Sequence, residues 1–298
     1  MKKLSKLLLL LSVIFISAQL ADASNLQIEK ISQPIKIPNK ISQPITISFA
    51  ANGHWRLLAE PLDSLIRNVN NPNFTLPVTR LEVAQMGGIP LAHLDTGRAC
   101  EVLSGNDVGL KNLNLALNVI NFDTDYPGSY ISDIKFTVVN DDSTVAEDIY
   151  TLRFNQDTIA TIDFSNRNPF LQLSKENILK KNGTQSLETP FSVYICSNKD
   201  WKLYLKGVPT DTNKDIRYFF KVMGASDNTI TTNQTAEFIP MQDNQIFVAS
   251  GKSTINTATN TLDKKAININ YQVKGPEDRF IPAGTKTEEF EYRLETED

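Results

Sequence analysis

One stretch constrains this chain more than any other, because it occurs twice. Residues 44–57, PITISFAANGHWRL, align without a gap on residues 190–203, PFSVYICSNKDWKL, at an offset of 146. Pro44 falls on Pro190, Asn52 on Asn198, Trp55 on Trp201 and Leu57 on Leu203, and these are the only two tryptophans in the protein. Each copy places apolar residues at every second position (Ile45, Ile47, Phe49; Phe191, Val193, Ile195), then a polar turn, then a Trp opening the next run. That spacing describes a half-buried strand, a tight turn and a second strand.

The correspondence reaches the end of each copy. Ser104-Gly105 matches Ser250-Gly251 at the same offset, and further on an offset of 156 places Leu113, Leu115 and Leu117 over Ile269, Tyr271 and Val273. Ile134, Phe136 and Val138 then lie over Phe290, Tyr292 and Leu294. The change of offset is expected within KSTINTATNTLDKK (252–265), a polar stretch suited to a lengthened surface loop. Between Leu57 and Leu103 the copies show no residue-by-residue match. Short alternating runs separated by Gly, Pro, Asn and Asp predict seven or eight strands per copy, and an alternating strand must bury one face. The fold expected is therefore all-β, two tandem immunoglobulin-like β-sandwich domains, with Trp55 and Trp201 between the sheets. The domains expected are residues 24–155 and 156–298. Leu58–Val69 reads as a short helix or loop, and Ser174–Lys181 as a single helical turn.

The N-terminus reads as an export signal. Lys2, Lys3 and Lys6 precede an apolar run from Leu7 to Ile16 and a small-residue site, Ala21-Asp22-Ala23. The run is shorter than the roughly 20 residues that span a bilayer, which favours a cleaved signal (1–23) over an anchor. The mature chain is expected to be exported, periplasmic or extracellular, with no membrane insertion. Losing Lys2, Lys3, Lys6 and Asp22 takes the net charge from −4 to −6. An acidic chain without basic clusters has no electrostatic reason to bind nucleic acid. After the signal, residues 24–45 repeat Ile-Ser-Gln-Pro-Ile, and Pro34, Pro38 and Pro44 argue for an edge strand or arm rather than a central strand.

The search for chemistry yields no catalytic, cofactor-binding or metal residues to commit to. Cys100 and Cys196 fall in different copies, so neither domain holds its own disulfide, although export permits a bridge between them. His54 and His93 lack zinc-ligand spacing. Leu94-Asp95-Thr96-Gly97 matches the LDTG of aspartic proteases, whose mechanism needs two carboxylates sharing a proton; the second copy offers only Asp243, without Thr-Gly. Asp123, Asp125, Asp141 and Asp142 are carboxylates of turn segments rather than a calcium loop. Sequons begin at Asn73, Asn182 and Asn233.

The end of each copy carries the one resemblance. Tyr126-Pro127-Gly128-Ser129-Tyr130 with the strand that follows, and Ile281-Pro282-Ala283-Gly284-Thr285 followed by Phe290–Leu294, resemble the turn-and-strand closing many bacterial immunoglobulin-like surface domains. Together with the N-x-x-W-x-L motif they are similar to the spore coat protein U and chaperone–usher pilin-type families, over some 30 residues per copy. The resemblance implies exported sandwiches that assemble on the cell surface, some completed by a strand from a neighbour. The donor would then be the arm 25–41, with Leu26, Ile28, Ile35 and Ile37 filling a groove.

The function expected is that of a non-enzymatic exported protein of surface structure, adhesion or assembly, whose partners are other surface or pilus proteins or further copies of itself. The first alternative is a carbohydrate-binding module, with Tyr126, Tyr130 and Tyr218 as candidate stacking residues. The second is an aspartic-type hydrolase. No cofactor is expected.

Overall fold

The computed structural model describes residues 26–37, 39–141, 143–166, 183–208, 216–256, 258–259, 261–275 and 289–297. The expected signal (1–23) and the turn at Ser174–Lys181 lie outside them. The protein is all-β, and it divides into two compact units between Asp157 and Thr158.

Unit 1 contains β1 (Gln27–Lys30), β2 (Ile35–Ile37), β3 (Lys40–Ala51), β4 (Trp55–Pro61), β5 (Leu65–Asn68), β6 (Thr75–Pro77), β7 (Leu81–Gln85), β8 (Pro90–His93), β9 (Cys100–Gly105), β10 (Gly109–Ile120), β11 (Gly128–Asn140) and β12 (Ser143–Gln156). One sheet runs β1-β3-β10-β7-β8, with β2 also on β3; the other runs β6-β5-β11-β4-β9, with β12 on β11. Alternate residues of both sheets, among them Ile45, Ile47, Leu117, Leu57, Ile134 and Phe136, meet in one core. Alternation along β4, and along β3 outside the buried run Gln43–Pro44–Ile45, produces this, because successive side chains leave opposite faces of a strand.

Unit 2 contains β13 (Ala160–Phe164), β14 (Thr184–Ser186), β15 (Phe191–Ser197), β16 (Trp201–Val208), β17 (Arg217–Ala225), β18 (Thr231–Thr232), β19 (Ile239–Pro240), β20 (Ile246–Gly251), β21 (Ile255–Asn256), β22 (Thr261–Leu262), β23 (Lys265–Lys274) and β24 (Glu289–Thr296). Its sheets run β13-β15-β23-β17-β19, with β14 also on β23, and β18-β20-β16-β24; β21 and β22 form a small hairpin. The strand orders β1-β3-β10-β7-β8 and β9-β4-β11 of unit 1 thus recur as β13-β15-β23-β17-β19 and β20-β16-β24.

Register sharpens the comparison. Trp55 pairs with Gly105 on one side and Asn140 on the other; Trp201 pairs with Gly251 and Thr296. The β4–β9 ladder slips between Leu57 and Leu58, and the β16–β20 ladder slips between Leu203 and Tyr204, the same place in each motif. Both tryptophans are buried, and both occupy the end of their sheet rather than its middle. The Trp55 ring meets Phe49 of the opposite sheet edge-on at 5.2 Å, and its Nε1–H donates to Asp107 Oδ1 at 2.8 Å. Trp201 Nε1–H donates to the Lys252 carbonyl at 3.0 Å.

Several sequence expectations need correction. Leu58–Val69 is neither helix nor loop but the end of β4 and all of β5. Its helix-like spacing belongs to Leu62, Leu65 and Val69, which face solvent, whereas the buried residues Leu57, Ala59 and Ile66 follow strand alternation. Pro44 sits inside β3, which has β10 on one side and the arm on the other. A residue's N and C=O point to the same side of its strand. Because the Pro44 carbonyl accepts from Ile31 N–H, its missing donor faces the bend between β1 and β2, not β10. Gln43 Nε2 occupies that gap, donating to the Ser32 and Pro44 carbonyls at 2.7 and 2.8 Å.

The third correction concerns β23. Phe191 stands opposite Ile269 and Val193 opposite Ile267, while Ile45 stands opposite Leu115 and Ile47 opposite Leu113. Leu113, Leu115 and Leu117 therefore correspond to Ile267, Ile269 and Tyr271, two residues earlier than the sequence match. A slip of two preserves which face is buried, so alternation cannot detect it.

Candidate functional site at the edge of β24

The two units differ most where β11 and β24 correspond. Val138 lies opposite Leu57, Phe136 opposite Ala59 and Ile134 opposite Pro61; Leu294, Tyr292 and Phe290 take those places opposite Leu203, Leu205 and Gly207. On its other side β11 is paired along its whole length with β12. Among the described residues no strand pairs with the corresponding side of β24. Burial follows directly. Ile134, Phe136 and Val138 are all 0% exposed, while Phe290, Tyr292 and Leu294 are each partly exposed.

Larger side chains partly compensate. Ile45, Leu117, Phe136 and Ile134 correspond to Phe191, Tyr271, Tyr292 and Phe290, and Ile28, opposite Ile47 on β1, corresponds to Phe164, opposite Val193 on β13. These rings interlock: Tyr271 stacks on Phe290 at 5.0 Å, and Phe164 lies 5.4 Å from Tyr292 and 5.7 Å from Phe191. The Tyr271 and Tyr292 hydroxyls hydrogen-bond each other and so tie the two sheets together. Burial pushes the pKa of both phenols well above the ordinary tyrosine value. Among the described residues the site is an unpaired strand edge beside an aromatic floor that is already packed.

Its outer face is charged. Glu289, Glu291, Arg293 and Glu295 alternate with the core residues, and Lys206 on β16 bonds Glu291 at 2.8 Å, holding that carboxyl below its usual range. At the corresponding place in unit 1 the signs are reversed. Lys135 on β11 is held by Glu60 of β4 at 3.1 Å and approached by Glu147 of β12 at 4.0 Å, and the two carboxylates raise its pKa.

The residues singled out from the sequence fall elsewhere. Asp95 is exposed in a turn, where Oδ1 accepts the Thr96 N–H. Asp243 is an exposed loop residue. Asp125 is buried and bonded to Arg80 at 2.5 and 2.7 Å, with the guanidinium 4.8 Å from the Phe122 ring; Asp123 is exposed. His54 bonds Asn106, His93 lies 3.8 Å from Glu82, and Cys100 and Cys196 are free thiols. Among the described residues no group of three His, Cys, Asp or Glu could hold a metal. Asn73 is exposed, Asn233 donates its amide to the Phe247 carbonyl, and Asn182 lies outside the described residues.

The stacking residues for a sugar fare unevenly. Tyr130 is 1% exposed and donates its hydroxyl to the Tyr126 carbonyl, so it offers no platform. Tyr126 is stacked face to face on Phe74, and Tyr218 packs edge-on against Phe290. The arm does not lie free: β1 pairs with β3, Leu26 and Ile28 enter the core of unit 1, and Ile35 and Ile37 face solvent instead of filling a groove. Nothing in the sequence marked the β24 edge, because alternation reveals which face a strand buries but not whether both its edges are paired.

No family model matches the chain, and no curated protein does either. Among solved structures it is similar to the CupB6 tip adhesin from Pseudomonas aeruginosa, at 8% identity over 91% of this chain and 92% of that one, with a TM-score of 0.39. It is similar also to the class 5 fimbriae chaperone CfaA (12% identity, 92% and 100% covered, TM-score 0.25) and to a mutant of the CfaE adhesin of enterotoxigenic E. coli (10%, 92% and 87%, TM-score 0.25). Among the described residues no helix is long and apolar enough to cross a membrane.

Proposed function

We propose that this is an exported, non-enzymatic protein of the cell surface, a duplicated immunoglobulin-like pair that serves adhesion or assembly by taking up a β-strand along β24. The observation that carries the reading is the contrast between two equivalent strands. β11 is covered by β12 and buries its apolar row completely, whereas β24 keeps the same row partly exposed along an edge that no other described strand pairs. Such an edge is a template for strand addition. The duplication is supported by the shared strand order, the Trp–Gly pairings and the matching slip in both ladders. Export is supported by the basic, apolar and small-residue order of residues 1–23.

The test is to fill the edge from within. A chain carrying a further strand, joined after residue 298 through an Asn-Gly turn, is expected to remain folded, reach the cell surface and lose adhesion or assembly. Unchanged assembly with the added strand in place would refute the reading, as would retention of an epitope-tagged chain in the cytoplasm.

A further inference from the structure

We infer that the strand received by β24 comes from a partner chain of defined chemistry, with small side chains facing the core and a lysine or arginine set against Glu291. The inference rests on the strand-addition reading above and adds what the incoming strand must look like. Two observations define it.

The first is space. Opposite Val138, Phe136 and Ile134, β12 places Ala146, Asp148 and Tyr150. Only one of these three is large, and in unit 2 the floor beneath has already been raised by Phe164, Phe191, Tyr271 and Tyr292. A strand entering over Leu294, Tyr292 and Phe290 meets a packed surface, and large inward side chains would have to displace it. Ala, Ser, Gly or Val fit there.

The second is charge. In unit 1 a central charge has a counter-charge on each flanking strand: Glu60 on β4 and Glu147 on β12 both address Lys135. In unit 2 the central charge is Glu291, and Lys206 stands where Glu60 does. The third member of the row is the one the incoming strand supplies, and by the same arrangement it is a cation. Glu289 on the same face adds to that sign, while Glu295 is paired with Arg293 at 3.1 Å. A second copy of β24 is disfavoured mainly by size, since its inward residues are Phe290, Tyr292 and Leu294; full antiparallel overlap would set Arg293 against Glu291 but also Glu289 against Glu295.

Charged residues on an edge can instead serve only to repel other strands. The two readings separate experimentally. The chain from residue 24 is titrated with synthetic extended peptides of about ten residues, and amide hydrogen exchange of Glu289–Thr296 is followed. One peptide has Ala and Val inward and Lys outward, a second exchanges Lys for Glu, and a third keeps Lys but has Phe and Leu inward. The first is expected to bind and protect β24, with the second about two- to fivefold weaker, as one exposed cross-strand pair allows. The double variant Lys206→Glu with Glu291→Lys reproduces the Glu60–Lys135 order and is expected to reverse that preference. Equal binding of the Lys and Glu peptides, or tighter binding of the Phe/Leu peptide, overturns the inference while leaving strand addition intact. No protection by any peptide overturns strand addition itself. A dimer that protects β24 and resists competition by the first peptide shows the occupant to be a second copy and also overturns the inference.

Discussion

Replacing Gly251 by alanine should damage unit 2 through a single contact. A Cβ built at Gly251 lies 2.6 Å from Trp201 Cζ2 and 2.9 Å from Cε2; at Gly105 it lies 2.7 Å from the same two atoms of Trp55. Ordinary carbon contacts begin near 3.4 Å, so the ring must retreat by close to an ångström. Trp201 is 1% exposed, and its Nε1–H is fixed on the Lys252 carbonyl. Overpacking of this kind costs about 1–3 kcal/mol, and loss of the indole hydrogen bond adds about 1 kcal/mol. A total of about 2–4 kcal/mol lowers the melting temperature of a unit of this size by roughly 6–14 °C. Urea titration followed by far-ultraviolet circular dichroism, which still reports unit 2 when its one tryptophan is replaced, reads the cost, and Trp201→Phe removes the outer indole atoms that collide. In that background the Gly251→Ala penalty should fall by at least half. A penalty below about 0.5 kcal/mol, or one unchanged by Trp201→Phe, would refute the steric argument.

Three other outcomes follow from the same structure. Deleting residues 24–37 strips β1 and β2 from β3 and uncovers the core around Leu26 and Ile28, so unit 1 should lose about 3 kcal/mol or more while the unit 2 transition stays in place, as a two-transition calorimetric scan would record. Asp125→Asn leaves the Arg80 guanidinium, with a side chain only 20% exposed, without its counter-charge; a loss of about 2–4 kcal/mol in unit 1 is expected from chemical denaturation. In unit 2 the Lys265 ammonium and the Thr229 backbone N–H hold Asp227 down from 3.8 to about 2. A lowered carboxylate stabilises above its unfolded value and loses that contribution as pH falls through the folded one. The unit 2 transition should therefore weaken between about pH 4 and pH 2, and Asp227→Asn should flatten the profile in that window.

What the sequence could reveal depended on which physical constraint each residue reports. Trp55 and Trp201, with Gly105 and Gly251, are legible because a large ring lying across a neighbouring strand tolerates no Cβ there, so motif and glycine travel together. The middle of each unit was illegible for a geometric reason. By register, Val83 corresponds to Phe220 and Ala92 to Ile239. Unit 1 is longer between β4 and β7, where β5 and β6 sit, and unit 2 is longer between β17 and β19. These length changes nearly cancel, so the match resumes at Gly105 and Gly251 as though nothing had intervened. The continuation of β3 through Pro44 was hidden because a proline's effect depends on which side its nitrogen faces, and that side is set by the arm. The β24 edge was hidden for a related reason. Phe290, Tyr292 and Leu294 alternate as clearly as Ile134, Phe136 and Val138, and only the pairing shows that β12 covers one row and no described strand covers the other.

Residue-resolved amide exchange on the chain from residue 24 tests the open edge most directly. Along β24 the amides directed at β16 should be protected and those directed away from it should exchange at nearly unprotected rates, a contrast of about a hundredfold or more at alternate residues. β11, held on both sides, should show no such alternation. Uniform slow exchange from Glu289 to Thr296 in the isolated chain would mean that the edge is already filled, and the account of how this protein assembles would be wrong.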